Sequence, residues 1–264
     1  MDNMATQEHS DLTRVSAGNR KFIIVGTAHV SSQSVDAVKA AIQDEQPDRV
    51  VIEIDQQRYA SLKSKQDWSR LDIYQVIKRK QAFLLLSNLV LSSFQRRMGA
   101  GTGVTPGAEM LAAVNAAEEA GIPVSFGDRP VHATLRRAWA KTGFWGKNKL
   151  LASLIAGAFS REQLWEEELQ KLRSKSELET MMQELADYLP SVKSVLNDER
   201  DEYLAQRIFD APGERVVAVV GAGHVPGIVK KIESFAAGEP PVDTDALEQV
   251  PPPGPVRKAI PYAV

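Results

Sequence analysis

Short, wholly apolar runs alternate along this chain with longer stretches in which apolar residues recur at helical spacing. Phe22–Gly26 is the first such run, and behind it Val35, Val38, Ala41 and Ile42 form a stripe along a predicted helix, Val35–Asp44, with Ser31, Ser32 and Ser34 available as caps. Pro47-Asp48 then breaks the chain before a second run, Arg49–Ile54. Runs that are continuously apolar mark strands buried on both faces, as in a parallel sheet, and the order strand–helix–strand predicts a right-handed βαβ crossover. From Gln57 to Arg97 the pattern is helical, with no proline or glycine between Asp55 and Met98. A glycine-rich loop, Gly99–Gly103, leads through Pro106-Gly107 to an amphipathic helix, Glu109–Ala120, which Gly121-Ile122-Pro123 stops. A third strand, Val124–Phe126, ends at Gly127-Asp128-Arg129-Pro130. Between Val131 and Phe209 no strand is indicated, and Glu, Lys, Gln and Leu fall at helical spacing over Arg161–Leu185. Pro212-Gly213 returns the chain to a last strand, Arg215–Val220, and Pro226 suits the first turn of a helix over Gly227–Phe235.

The fold class that follows is α/β: a mostly parallel sheet with paired strand–Gly-x-x-His–helix units, and a helical insertion at about 131–209 covering the strand ends. Residues 1–20 are polar with acidic positions and read as a disordered leader, neither a secretory signal nor a membrane helix. Residues 21–238 form the domain. The tail, 239–264, carries six prolines between Pro240 and Pro255 and reads as an extended linker. The longest apolar stretches, Ala82–Leu91 and Leu150–Phe159, are too short to span a bilayer.

At 264 residues and 43% hydrophobic content the chain can build a substantial core. A net charge of -2 gives no reason to expect nucleic acid, and clusters such as Lys78-Arg79-Lys80 read as solvated helix faces. There is no cysteine, so disulfides, thiol nucleophiles and cysteine zinc sites are excluded, and any metal must be held by nitrogen and oxygen.

Chemistry gathers where strands end. A basic residue, an apolar run and Gly-x-x-His occur twice, at Gly26–His29 and Gly221–His224, among only four histidines. Ligands of parallel α/β sheets bind at the carboxyl ends of strands, and neighbouring strands lie about 4.8 Å apart. His29, His224, Glu53 and Asp128 are therefore the candidate metal ligands, suited to a divalent transition ion such as Mn, Co or Zn. A histidine after a strand also serves purely structural ends. Glu53 sits inside Val51-Ile52-Glu53-Ile54, where a bare charge is expensive; it is either ligand or base, or a salt-bridge partner of Arg58 or Arg129. Glu109 is a second candidate base, or else an exposed helix residue. Arg58, Arg129 and Arg200 offer planar forks for an anion or oxyanion, or for an ion-pair network at the rim. Gly221-x-Gly223-x-x-x-Gly227 has the ingredients of a dinucleotide turn, but no acid-ended strand follows it. Gly99–Gly103 lacks the Lys-Ser/Thr of a P-loop.

At these residues the sequence resembles the TraB/PrgY family, related to GumN and Tiki proteins and to erythromycin-esterase-like folds. The resemblance runs from Phe22 to Ile232 through Gly26-Thr27-Ala28-His29-Val30-Ser31, Glu53-x-Asp55-x-x-Arg58-Tyr59, Pro106-Gly107-Ala108-Glu109-Met110, Gly127-Asp128-Arg129-Pro130, Glu199-Arg200-Asp201-x-Tyr203 and Gly221-Ala222-Gly223-His224-Val225-x-Gly227-Ile228. It implies a metal-dependent hydrolase of a peptide or related amide, with Glu53 or Glu109 as ligand or base, and with Arg58, Arg129, Arg200 and Tyr203 also in the catalytic set. The TraB and PrgY branch implies inactivation or sequestration of a peptide pheromone, so a non-catalytic peptide-binding regulator is the alternative. A nicotinamide-dependent oxidoreductase is a distant third. The sequence from Val250 to Pro261 is similar to the junction that precedes a hydrophobic membrane domain in family members. This implies attachment to a membrane through a region beyond this chain, or a cytoplasmic domain where no such region exists. A homo-oligomer is among the expected partners.

Overall fold

The computed structural model describes residues 12–27, 32–64, 107–149, 152 and 190–251. They fall into two compact units. The first draws on 1–62, 99–128 and 201–242, the second on 63–98, 129–200 and 243–264.

The first unit is built on a five-stranded sheet: β1 (Leu12–Ala17), β2 (Arg20–Thr27), β3 (Arg49–Ile52), β4 (Val124–Phe126) and β5 (Arg215–Gly221), in the order β1-β2-β5-β3-β4. All neighbouring pairs are parallel except β1 with β2. β5, the last strand in sequence, lies between β2 and β3, with Ala218 opposite both Ile24 and Val51. Its run Val216–Val220 is buried on both faces, which is why the sequence there shows no alternation.

Successive strand residues face opposite sides and feed two separate cores. Ile23, Val25, Val50, Ile52, Val217 and Val219 pack with Val38, Ala41 and Ile42 of α1 (Ser32–Glu45) and with Met110, Ala113, Val114 and Ala117 of α3 (Ala108–Glu119). Tyr59 and Leu62 of α2 (Gln56–Ser64) join the same side. On the other face Phe22, Ile24, Val51, Val216, Ala218 and Val220 pack with Leu204, Ala205 and Ile208 of α6 (Glu199–Phe209) and Ile228, Ile232 and Phe235 of α7 (Val225–Ala236). The helices after β2 and β3 thus turn to one face and the helix after β5 to the other. That divergence is a topological switch point, the place at the carboxyl ends of strands where open α/β sheets bind their ligands.

The regular elements among the described residues of the second unit are all helical: α4 (Val131–Lys141), residues 144–149, α5 (Pro190–Lys193), a π-helical turn at Ser194–Asp198 that runs on into α6, and α8 (Thr244–Glu248). No strand occurs among the described residues of 131–209. Among the described residues no helix is long and apolar enough to cross a membrane. The glycine-rich loop Gly99–Gly103 lies outside them, as does the predicted helix beyond Ser64.

Two expectations are corrected. The leader is not disordered throughout: Leu12–Ala17 pairs along the edge of β2, joined to it by the two-residue turn Gly18-Asn19 with Gly18 at φ +59°. Only Val15 of this strand is buried, so an edge strand with one wet face passed for polar leader; the Gly-Asn pair was its available signal. The tail is not simply extended either. Thr244–Glu248 is helical, with Asp243 Oδ1 accepting from the Ala246 N–H at 3.0 Å, because the prolines flank the segment rather than interrupt it.

β1 shields the outer edge of β2 and contributes Val15 to the core. Deleting residues 1–17 should therefore lower stability by about 1–3 kcal/mol in a urea melt, with the rest of the sheet retained by circular dichroism.

Candidate functional site

Burying carboxylates at a strand end requires donors, and the parallel topology supplies them as backbone N–H groups of neighbouring strand ends and helix starts. Glu53 follows β3 directly and is only 6% exposed. Its Oε2 accepts from the Gly221 N–H at the end of β5, at 2.6 Å. Its Oε1 lies 3.5 Å from Nε2 of His224, which sits in the single 3₁₀ turn between β5 and α7. On the far side of the ring, Nδ1 is 2.5 Å from Oδ1 of Asp201, in the first turn of α6. A carboxylate accepts, so Nδ1 carries the hydrogen and Nε2 is turned toward Glu53. With that tautomer neutral, a lone pair on Nε2 faces the Oε1 lone pairs, an arrangement relieved by a proton or a cation between them.

Gly227, in the first turn of α7, makes this possible. A Cβ there would lie 2.0 Å from Asp201 Oδ2 and 2.5 Å from its Cγ. The glycine of the apparent dinucleotide signature thus has a packing reason, close approach of the carboxylate that holds His224.

The other rim residues are arranged around this core. Asp55 Oδ1 accepts from the N–H groups of Gln57 and Arg58, at 2.9 and 3.1 Å, and starts α2. Asp55 Oδ2 is buried with no hydrogen-bond partner. Asp128, two residues past β4, takes Arg58 Nη1 at 3.4 Å, and the Arg58 side chain is partly exposed. Glu109 is 1% exposed in the first turn of α3, the helix end that favours a carboxylate. Tyr203 is buried on α6, and Arg200, half-buried, precedes Asp201 on the same helix. His29 lies outside the described residues.

Arg129, one residue after Asp128, belongs to the second unit and is fully buried. Its Nε donates to Thr134 Oγ1, Nη1 to Glu199 Oε2 and the Leu247 carbonyl, and Nη2 to the Val195 carbonyl in the π turn, at 2.7–3.0 Å. Arg137 also holds Glu199, at 2.7 and 3.1 Å, and donates to the carbonyls of Ala246 and Gln249. Lys141 adds a third cation to Glu199. Burial pushes the Glu199 pKa upward, but the hydrogen bonds from Arg137, Lys141 and Arg129 outweigh it and hold the group at about 2. Arg129 is therefore engaged in an ion-pair network of the kind weighed against an anion clamp.

The structure brings together Glu53 and His224, and separately Arg58 and Asp128. Asp201 and Asp55 were not singled out among the candidates. Both stand within the family motifs, but their partners, His224 across the fold and the N-terminus of α2, are visible only in three dimensions. Among the described residues no group of three or more histidines, aspartates and glutamates is arranged to hold a metal ion.

Fold and rim define an α/β domain with buried carboxylates around an imidazole at the strand ends. The TraB/PrgY/gumN family model matches residues 11–238, and the chain belongs to that family. It is 31% identical over 229 residues to the uncharacterized protein MJ1365 of Methanocaldococcus jannaschii, covering 86% of this chain and 56% of that protein. It is 31% identical over 241 residues to human TraB domain-containing protein, covering 81% and 62%, and 30% identical over 250 residues to the bovine one, covering 84% and 65%. The chain thus spans somewhat under two thirds of these relatives' length.

Two outcomes follow. Gly227→Ala should push Asp201 off His224, cost about 1–3 kcal/mol, and abolish the downfield Nδ1–H resonance of His224 in proton NMR. Glu199 is held below its ordinary value of 4.5, so its stabilisation is complete above that pH and is lost as pH falls through about 2. Glu199→Gln should therefore flatten the acid limb of the stability curve and lower the melting temperature at neutral pH.

Proposed function

We infer that this domain is a metal-dependent hydrolase acting on a peptide or related amide. The observation that carries the reading is the facing pair His224 Nε2 and Glu53 Oε1 at 3.5 Å, with the far imidazole nitrogen held by Asp201. A ligating histidine characteristically donates its other ring hydrogen to a carboxylate, which fixes the tautomer and raises ring basicity. The orphaned Oδ2 of Asp55, two residues from Glu53, is a further buried oxygen in want of a proton, water or cation. The nitrogen and oxygen donors suit a divalent transition ion such as Mn, Co or Zn.

His224 and Glu53 would hold the ion, with His29, which lies outside the described residues, as a further ligand; Asp128 is instead paired with Arg58. When bound, such an ion polarises a carbonyl and lowers the pKa of a water. The chain's own part is orientation and proton handling. Asp201 keeps Nε2 turned toward Glu53, the Gly221 N–H fixes Oε2 of Glu53 while Oε1 lies 3.5 Å from Nε2, and Glu109 is an alternative base. Arg58, partly exposed beside Asp128, is the clamp best able to reach an anionic group on a substrate. Arg200 and Tyr203, on α6 with Asp201, complete the set.

Elemental analysis of the purified chain, with turnover of a mixed peptide library, tests this. The expected result is stoichiometric metal and chelator-sensitive cleavage, both lost in His224→Ala and Glu53→Gln at near-normal melting temperature. Asp201→Asn should weaken metal affinity by about 10–100-fold. Metal retained in both substitutions would overturn the site. Tight peptide binding without cleavage, indifferent to chelator, would establish the sequestering regulator instead.

A further inference from the structure

We propose that the corner formed by residues 141–149 of the second unit docks on an anionic lipid interface. Phe144 and Trp145 stand 73% and 80% exposed, whereas the other large apolar side chains among the described residues are mostly turned inward. Their rings meet edge to face, 5.7 Å apart at 78°, so they pack on one another rather than on the core.

The corner is built to hold them out. Helix α4 stops at Thr142, whose N–H and hydroxyl both return to the Ala138 carbonyl, at 3.0 and 2.6 Å, and whose hydroxyl also reaches Ser191 Oγ at 3.2 Å. The chain turns at Gly143, the next helical turn is closed by Lys147 N–H on the Gly143 carbonyl, and Asn148 Nδ2 donates to the Phe144 carbonyl. Two aromatic rings fixed at a helix–helix corner form a wedge whose ordering has been met in folding.

Charge says what the wedge meets. From Arg129 to Arg161 the sequence has seven Lys and Arg residues and no Asp or Glu. Arg129, Arg137 and Lys141 are engaged on Glu199, while Arg136 and Lys149 are exposed. Lys147 lies over the Trp139 ring at 5.2 Å, its stem covering apolar surface. Trp and Phe side by side in a segment with basic and no acidic residues match a lipid headgroup layer, where the rings enter the acyl boundary and nearby cations such as Lys149 meet phosphates. Single-stranded nucleic acid shares the aromatic and basic chemistry, but a chain of net charge -2 lacks the long positive track that a polyanion follows. The proposal does not rest on the hydrolase reading.

The test is co-sedimentation of the full chain with vesicles of phosphatidylcholine alone or with about one third phosphatidylserine, at low and high salt. The chain is expected to partition onto the anionic vesicles with a blue shift in tryptophan emission, and Trp145→Phe is expected to remove the shift while keeping most of the binding. Phe144→Ala with Trp145→Ala should cut partitioning by about tenfold or more. Lys147→Gln with Lys149→Gln should cut it by about fivefold per cation removed and flatten the salt dependence. All four side chains lie at the surface, so melting temperatures should hold. Equal partitioning of wild type and the double-alanine variant overturns the proposal. So does binding confined to a labelled oligouridylate, or a self-association that the same double substitution abolishes in the absence of vesicle binding.

Discussion

The first unit depends on one strand being hydrogen-bonded on both sides. β5 arrives last in sequence and fills the gap between β2 and β3, so neither of the two cores closes until the chain has returned from residues beyond 200. Its side chains alternate into both cores, and its end supplies the Gly221 N–H that lets Glu53 remain buried. Fold and rim are therefore one construction. The same close approach that completes the sheet satisfies the carboxylate, in surroundings where an unpaired charge is strongly disfavoured.

Imidazole and carboxylates are ordered by direction as well as distance. Asp201 reaches His224 from a helix on one face, and Glu53 reaches it along the sheet. Between them they define which nitrogen is protonated and where the other points. Gly227 contributes by having no side chain, which allows the carboxylate to come against the backbone of α7. A rim so arranged has a preset orientation, the property that metal-ligating and proton-transferring histidines share.

The second unit solves a different electrostatic problem. Arg129, Arg137 and Lys141 converge on the single carboxylate of Glu199, and the Thr134 hydroxyl and the carbonyls of Val195, Ala246, Leu247 and Gln249 accept from the two arginines as well. The carbonyl end of a short helix carries negative dipole character, so α8 is a suitable neighbour for the excess positive charge. This gives the tail a structural purpose that its prolines concealed. The π-helical turn before α6 belongs to the same network, because its Val195 carbonyl accepts from Arg129.

The continuous apolar runs Phe22–Gly26 and Arg215–Val220 by themselves determined that this is an α/β domain with a largely parallel sheet, since only strands covered on both faces read that way. Periodicity likewise located α1, α3, α7 and, residue for residue, the strand Val124–Phe126. Histidine and carboxylates at strand ends marked the rim, because strand polarity alone sends them to one edge. What local pattern could not decide was partnership. The insertion of β5 between β2 and β3, the edge strand hidden in a polar leader, the helix between tail prolines and the hold of Asp201 on His224 all join residues far apart in sequence or depend on which face is covered. Those are properties of packing, in which a glycine matters for what approaches it and an arginine for which carboxylate lies within reach.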